Sequence, residues 1–367
     1  MFKVGDKSKS VSADRDGAEA KSQRRRPFMS KRSIQIQETL YCGIDVSAKS
    51  LTVAIQRVGQ LVEQRIFPNS QNGHRALIVW LRKAKSPVRV SLEATGIYSL
   101  DLAFALDAAE GIELAVLNPK VANRFAQTIR RSKTDAADAE VLAEYTHRMP
   151  FTAWIAPSSS SKRLRSIVRH VESLSVQSAQ NQNRLHAAHG STSTPGCVVQ
   201  DLKRSVAFLE QRIHKLRREA MTLVRQDDLL RKRFDLLVSI PGIAQVSAMQ
   251  LLAELSTLPS DLTVREWVAH SGLDPAHEIS GSSVRKASRI SRAGNRHLRR
   301  ALYMPALVAS RCDPHAKAFF ESLLARNKAR LQALIAVARK LLHAIYGIFR
   351  SGLKYEGTKL FPRITLS

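Results

Sequence analysis

Leu40-Tyr41-Cys42-Gly43-Ile44-Asp45-Val46, then Leu51-Thr52-Val53-Ala54-Ile55-Gln56, then, past Gly59, the run 61–67, form the stretch that decides the fold. Each run is short, aliphatic or β-branched, and bounded by turn-forming residues, so the three read as consecutive strands of a small antiparallel meander. Downstream the pattern gives a helical stretch over 71–85, a strand over 88–93, a helix over 98–110, a strand over 112–117 and helical segments over 119–147. The order β-β-β-α-β-α-β-α predicts an α/β domain, a mixed sheet with helices on its faces.

Four acidic residues stand at telling places in that pattern. Asp45 ends the first strand, Glu93 ends the fourth, and Asp135 and Asp138 lie three apart at a helix start, hence on one face. If the first and fourth strands are neighbours, the two strand-end carboxylates converge and the helical pair closes over them. Phosphodiester chemistry uses such a group, because two magnesium ions about 4 Å apart need several carboxylates to hold them. A structural alternative stands beside this one. Acids in a first helical turn complement the macrodipole, Thr134 has the character of an N-cap, and a glutamate at a strand end is commonly solvated. Asp45 resists that explanation, since a carboxylate inside the run Cys42-Gly43-Ile44-Asp45-Val46 is costly to bury unless a metal or a partner compensates.

The 367 residues include 58 Lys and Arg against 31 Asp and Glu, a formal charge of +27, and 44% are hydrophobic, enough to fill two or three cores. So large an excess points to a polyanion partner. No run approaches the roughly eighteen apolar residues of a membrane span, and Met1-Phe2-Lys3-Val4-Gly5-Asp6 lacks an apolar signal core. Nucleic acid is therefore the expected polyanion, and a membrane is not. Cys42, Cys197 and Cys312 are odd in number and far apart, which predicts neither a disulfide framework nor a zinc site and points to a reducing compartment, the cytoplasm. Residues 1–38, with Arg24-Arg25-Arg26 and no apolar periodicity, read as a disordered basic tail.

Beyond a linker at 150–161, Leu164, Ile167, Val168 and Val171 recur at helical spacing, and a Gly, Ser and Thr-rich break at 190–196 separates this helix from a second over 198–236. Two long charged helices with a tight break predict a coiled-coil hairpin, suited to dimer contacts or to spanning between sites. The expected organisation is a tail over 1–38, an α/β domain over 39–150, linker and hairpin over 151–235, and a mainly α C-terminal domain over 236–367. Helices are expected there over 246–255 and 298–312, with one long terminal helix over 315–350. Within 237–252 an apolar helix end, a Pro241-Gly242 turn and a second apolar helix are similar to a helix-hairpin-helix, whose turn amides face a phosphate. Ala244 stands where glycine is usual, and an ordinary helical packing unit fits the same pattern.

Further on, no acidic residue occurs between Glu278 and Asp313, while Arg285, Lys286, Arg289, Arg292, Asn295, Arg296, Arg299 and Arg300 crowd the same stretch. A run this unbalanced repels itself unless an anion faces it, and the Arg fork suits phosphate, so these residues are expected to contact DNA or RNA.

Gly43-Ile44-Asp45-Val46-Ser47, Leu92-Glu93-Ala94-Thr95-Gly96, Asn118-Pro119 and Ser132-Lys133-Thr134-Asp135-Ala136-Ala137-Asp138-Ala139 resemble, in order and spacing, the DEDD transposases of the IS-one-ten insertion-sequence family. The resemblance implies an amino-terminal domain like the RuvC Holliday-junction resolvases, of ribonuclease H-like fold. It implies further that Asp45, Glu93, Asp135 and Asp138 are the catalytic carboxylates that hold magnesium, two ions on the two-metal scheme, with Lys133 beside them as a nucleic-acid contact. Gly272-Leu273-Asp274-Pro275, then Ser280-Gly281, then Gly294-Asn295-Arg296-His297-Leu298-Arg299 resemble the same family's carboxyl-terminal transposase domain. By that resemblance Ser280 is the nucleophile, attacking a phosphodiester to give a phosphoserine link; the residues alone do not separate it from Ser282, Ser283 or an ordinary turn serine. Membership also implies a structured noncoding bridge RNA as guide, DNA element ends and target as substrates, dimers pairing into tetramers, and a bacterial, nucleoid-associated setting. Two other functions share these features: a resolvase-type endonuclease using only the carboxylates, and a non-catalytic nucleic-acid-binding protein.

Overall fold

The strand β1 (Leu40–Val46) buries Leu40, Cys42, Ile44 and Val46 on one face and turns Gly43 and Asp45 to the other, as a two-residue period requires. The computed structural model describes residues 38–94, 96, 98–129, 134–276, 279–280, 284–285 and 289–360, with the backbone alone at 279–280, 284–285 and 360. The expected basic tail, apart from Glu38, lies outside the described residues. β2 (Ser50–Arg57) and β3 (Gln60–Pro68) complete the meander, and β4 (Val88–Glu93) and β5 (Ile112–Leu117) extend the sheet on the other side of β1. The strand order is β3-β2-β1-β4-β5, antiparallel through β3, β2 and β1 and parallel through β1, β4 and β5. This is the mixed sheet expected, of ribonuclease H-like order, and it makes the first and fourth strands neighbours.

One face of the sheet packs on α1 (Gln71–Arg82) and α2 (Leu100–Asp107), where Leu77, Leu81, Leu102 and Leu106 meet Ile44, Val53, Val90 and Leu92. After α3 (Pro119–Ile129), α4 (Asp135–Arg148) lies on the opposite face. Gly43 lets it settle there. A Cβ at that position would run into the Ala139 carbonyl and the Ala143 amide, so the helix backbone rests directly on the strand. Gln64 and Gln56 of the meander hold the same helix, donating to Glu140 Oε1 at 2.7 Å and to the Glu140 carbonyl at 3.4 Å.

The chain divides into two compact units between Trp154 and Ile155. In the second, α5 (Ser159–His189) and α6 (Gly196–Gln226) form the predicted hairpin. Val171, Leu174, Leu209 and Ile213 make its seam, and Asn181 to Ser205 at 2.8 Å is a polar rung further out. Its base is not a separate body. Leu164, Val168, Ala220, Leu223 and Val224 belong to one core with the helices that follow, α7 (Asp228–Val238), α8 (Gln245–Leu255), α9 (Val264–Ser271), α10 (Arg296–Cys312), α11 (Pro314–Ala325) and α12 (Arg330–Ser351). Hairpin and C-terminal helices are thus one unit, with no boundary at 235.

Several elements differ from expectation for identifiable reasons. The helix expected over 198–236 ends at Gln226, because Asp227 adopts an extended conformation and caps α7, accepting from the amides of Leu229 and Leu230 at 3.1 Å. The long terminal helix is two helices, α11 and α12, joined through Asn327 at φ +55°. α9 was not foreseen; a capping box between Thr263 and Glu266 starts it. α12 is also long and apolar enough to cross a membrane by length and composition, contrary to the expectation that no such run exists, with half of its apolar window buried in the core. Arg339 and Lys340 interrupt that run and hid it. In the Pro241-Gly242 turn, Gly242 has φ +95°, and a Cβ there would stand 2.7 Å from the Pro305 carbonyl and 2.9 Å from the Ala309 amide of α10. The glycine serves helix packing.

Glu254, the one acid of α8, is 3% exposed within the apolar turn Leu251-Leu252-Ala253-Glu254-Leu255. Arg169 of α5 binds it through two bonds of 2.8 Å, and Asn295 Nδ2 adds a third at 2.6 Å. Burial pushes this carboxyl up, but the bonds from Arg169 and Asn295 outweigh it and hold the group below its ordinary 4.5.

Replacing Gly43 with alanine should destabilise the first unit by about 2 kcal/mol or more, because the helix backbone cannot yield as a flexible side chain would; urea denaturation measures this. Glu254→Ala should cost the second unit about 2–3 kcal/mol at neutral pH, less than a fully buried pair because Arg169 is 41% exposed. Since Glu254 titrates lower when folded than unfolded, its contribution is complete above pH 4.5 and fades as pH falls below that. The gap between wild type and variant in urea should therefore narrow in acid.

Candidate active site

The register of β1 on β4 builds the first half of the site. Ile44 pairs with Leu92, so one residue further Asp45 and Glu93 leave adjacent parallel strands at the same level and on the same face, with strands about 4.8 Å apart. Across that face runs α4. Thr134, extended at φ −146°, caps it by accepting from the Ala137 amide at 3.2 Å, which places Asp135 and Asp138 in the first turn. With Ala139 seated on Gly43, the turn before it lies toward Asp45, two residues along the strand. Asp138 is half-buried there and Asp135 is exposed.

The electrostatics of Asp45 register this convergence. Burial first, then the charges of Asp135, Asp138 and Glu93, push its carboxyl from an ordinary 3.8 up to about 6, against the lowering effect of the Val46 amide. The charges of the other three predicted acids therefore all reach Asp45. Their donor set is all oxygen, which suits a hard divalent cation. Among the described residues, no three His, Cys, Asp or Glu side chains stand arranged to hold a metal ion.

Asn69, just beyond β3, ties down the two loops that follow the strand-end acids. Its Nδ2 donates to the Ser47 carbonyl at 2.8 Å and to the Tyr98 carbonyl at 3.1 Å, while its Oδ1 is 2.8 Å from His74 Nε2. His74 is buried, and burial lowers its pKa despite the opposing charge of Asp101.

The second unit carries the other predicted residues. The backbone of Ser280 lies in β7 (Ile279–Ser280), opposite Val284 of β8 (Val284–Arg285), after β6 (Pro275–Ala276), which pairs with β9 (Arg289–Ile290). Lys133 and Lys286 lie outside the described residues, as does the side chain of Arg285. Arg289, Arg292 and Arg296 are exposed. The remaining three have internal partners. Asn295 caps α10, its Oδ1 accepting from His297 and Leu298 amides at 2.9 and 3.2 Å while its Nδ2 binds Glu254. Arg299 donates to the Ser271 carbonyl at 2.7 Å, and Arg300 to Glu172 at 3.0 Å. Asn295 and Arg299 thus each make bonds that help hold the domain together, and the unbalanced charge of the stretch meets acids brought in from α5 and α8.

Three positioning residues escaped the sequence reading. Gly43 had a signal, a glycine inside a strand pattern. Glu254 had one as well, a single acid in the apolar run Leu251-Leu252-Ala253-Glu254-Leu255. Asn69 had none, because its partners are 22 and 29 residues away.

Residues 42–189 match the DEDD family model of the IS110 type, described as a transposase, and residues 234–321 match the model described as the transposase IS116/IS110/IS902 family. The pilin gene-inverting protein of Moraxella bovis is 27% identical over 86% of this chain and 97% of its own length. The 43.6 kDa protein of insertion element IS110 from Streptomyces coelicolor is 28% identical over 45% of this chain and 40% of its own. Among solved structures, T. thermophilus RuvC in complex with a Holliday junction substrate matches 29% of this chain and 90% of its own at 13% identity, with a TM-score of 0.23. The first match covers the four acids and runs on through α5, the second covers Ser280, and the chain accordingly belongs to the IS110 family of transposases, enzymes that cleave and rejoin DNA.

Proposed function

We propose that the chain exchanges DNA strands at a composite site, with Asp45, Glu93, Asp135 and Asp138 holding magnesium and Ser280 acting as nucleophile. The register that sets Asp45 beside Glu93 at the ends of neighbouring strands, with α4 and its first-turn Asp135 and Asp138 lying across that face, carries this reading. Magnesium, when bound, supplies charge to offset the phosphate and lowers the pKa of an alcohol beside it. The Ser280 hydroxyl gives up its proton as its Oγ bonds phosphorus, and the sugar oxygen leaves and takes up a proton. The phosphoserine link keeps the energy of the broken bond, so attack by a second sugar hydroxyl frees Ser280 and rejoins DNA. Arg289, Arg292 and Arg296, exposed on the serine-bearing unit, are suited to neutralise strand phosphates.

A net charge of +27 suits two nucleic-acid partners, and this reading includes a structured noncoding RNA that selects the DNA sites. It also includes assembly into dimers and tetramers, with the carboxylates of one copy and Ser280 of the same or another completing the site. The name of the Moraxella relative, an inverting protein, agrees with a reaction that rejoins what it cuts.

Supercoiled DNA carrying the element ends, incubated with protein, magnesium and co-purifying RNA, should yield strands covalently linked to protein. Ser280→Ala should reduce the adduct below detection, and Asp138→Ala should do the same while leaving DNA affinity within about twofold, because it removes a metal ligand and no cation. Adduct formation by Ser280→Ala would remove the serine assignment and transfer it to Ser282 or Ser283. Cut ends without an adduct would establish hydrolysis by the carboxylate site alone.

Asp45 gives a second test, independent of turnover. Its folded pKa lies above its unfolded value, so the proton binds the folded state more tightly. The carboxylate then leaves stability untouched below about pH 4 and subtracts from it increasingly as pH rises to about 6. In EDTA at pH 7.5, Asp45→Asn should raise stability by about 1–2 kcal/mol, discounted for partial exposure, and at pH 4 by almost nothing. Magnesium should raise the melting temperature of the wild type and leave that of Asp45→Asn unchanged in calorimetry. An equal rise in both would exclude Asp45 as a ligand.

A further inference from the structure

A cleft in the second unit is shaped for a ligand that neither the carboxylates nor Ser280 engage. It lies where the base of the α5–α6 hairpin meets the start of α8, and its volume is about 230 Å³. Its walls are apolar, with Val168 and Val171 from α5, Met221 from α6, and Val246 and Met249 from α8. Its rim is polar and basic, with His214, Arg217 and Arg218 on α6 and Gln245 on α8. Val246 is 45% exposed at the cleft mouth, while Val168, Val171 and Met249 are buried and form its floor.

Separate features at this rim favour an anion. The Nε of Arg217 is buried and has no hydrogen-bond partner, a donor that is unfavourable to leave unmade. α8 is preceded by Ala244, which offers no side-chain acceptor to its first-turn amides, and the first-turn residues Gln245 and Val246 line the cleft. Arg218 also lines the adjoining groove, where Arg163 and Lys215 stand with one acid, Glu219, and leave it net basic.

Apolar walls holding two thioethers, next to a cationic end, fit one chemistry: a nucleotide with its base inside and its phosphate at the rim. Methionine sulfur packs favourably against aromatic rings. A volume below the roughly 300–1,000 Å³ of drug-sized sites limits the occupant to about one ring system. A base paired and stacked in a duplex cannot enter, so the nucleotide must be unpaired.

We propose that this cleft binds a single unpaired nucleotide, its base among Val168, Val171, Met221 and Met249 and its phosphate against Arg217, Arg218 and the α8 amides. Binding there requires neither magnesium nor Ser280, so it is testable apart from strand exchange.

The test uses the full chain, freed of co-purified nucleic acid, and fluorescence anisotropy with a labelled 12-residue single-stranded RNA, the matching single-stranded DNA and the corresponding duplexes. Met249→Trp, which fills the cleft, should weaken one or both single strands by about tenfold and leave duplex affinity unchanged. Arg217→Gln, at the rim, should also weaken single strands more than duplexes. Because Met249 is largely buried, a second measurement keeps the chain intact. Abasic sites are moved one at a time along the single strand, and one position should cost wild type about tenfold. The same abasic strand should cost Met249→Trp nothing further. Preference for the RNA arm would assign the nucleotide to a guide, and preference for the DNA arm to a displaced strand, each in support. A flat abasic scan, or equal weakening of duplex and single strand by both variants, would overturn the proposal.

Discussion

The backbone of α4 lying on Gly43 is the contact on which the carboxylate site depends. Helices normally stand off a sheet by the depth of their side chains, but here Ala139 and Ala143 meet a residue without one. The approach carries the first turn of α4 toward the end of β1, where Asp45 stands in register with the end of β4 and Glu93. Any bulk at position 43 would lift the helix and separate two pairs of acids that are 42 or more residues apart in the chain. Burial of Asp45, and after it the charges of the other three acids, raise its pKa, so holding the carboxylate ionised there is unfavourable without a cation. Asn69 supports it from the other side by fixing the loops after both strands.

The second unit solves a comparable problem with charge. α5, α8 and the start of α10 meet at Glu254, whose carboxylate accepts from Arg169 and Asn295 while buried. Glu172 repeats the arrangement one turn along α5, bonding His297 at 2.5 Å and Arg300 at 3.0 Å. These bonds anchor the hairpin base to the helix that follows the serine-bearing strands. They also divide the Arg-rich stretch into residues that hold the fold and residues left exposed for a polyanion, a distinction decided by acids far away in sequence.

Much of this was legible beforehand where the information is local. The apolar and β-branched runs at 40–46, 51–56 and 61–67 marked three strands, Thr134 announced the start of α4, and the break at 190–196 marked the hairpin turn. Where prediction failed, local signals were ambiguous. Asp227 ends one helix and begins another within an unbroken helical pattern, and Asn327 does its work through a left-handed backbone that nothing in its neighbours requires. Gly242 fits a phosphate-binding turn and a packed one equally well until α10 is seen against it.

By itself the sequence determined the sheet-forming runs, the excess of positive charge and the identity of the four acids, because strand periodicity, composition and motif spacing are properties of neighbours along the chain. Tertiary structure alone decided that α4 approaches close enough for Asp45 to sense the other acids, that Asn295 and Arg299 find partners on other helices, and that the hairpin base and α8 enclose a cleft. These outcomes turn on backbone distances between remote segments, and such distances are set only when the cores close.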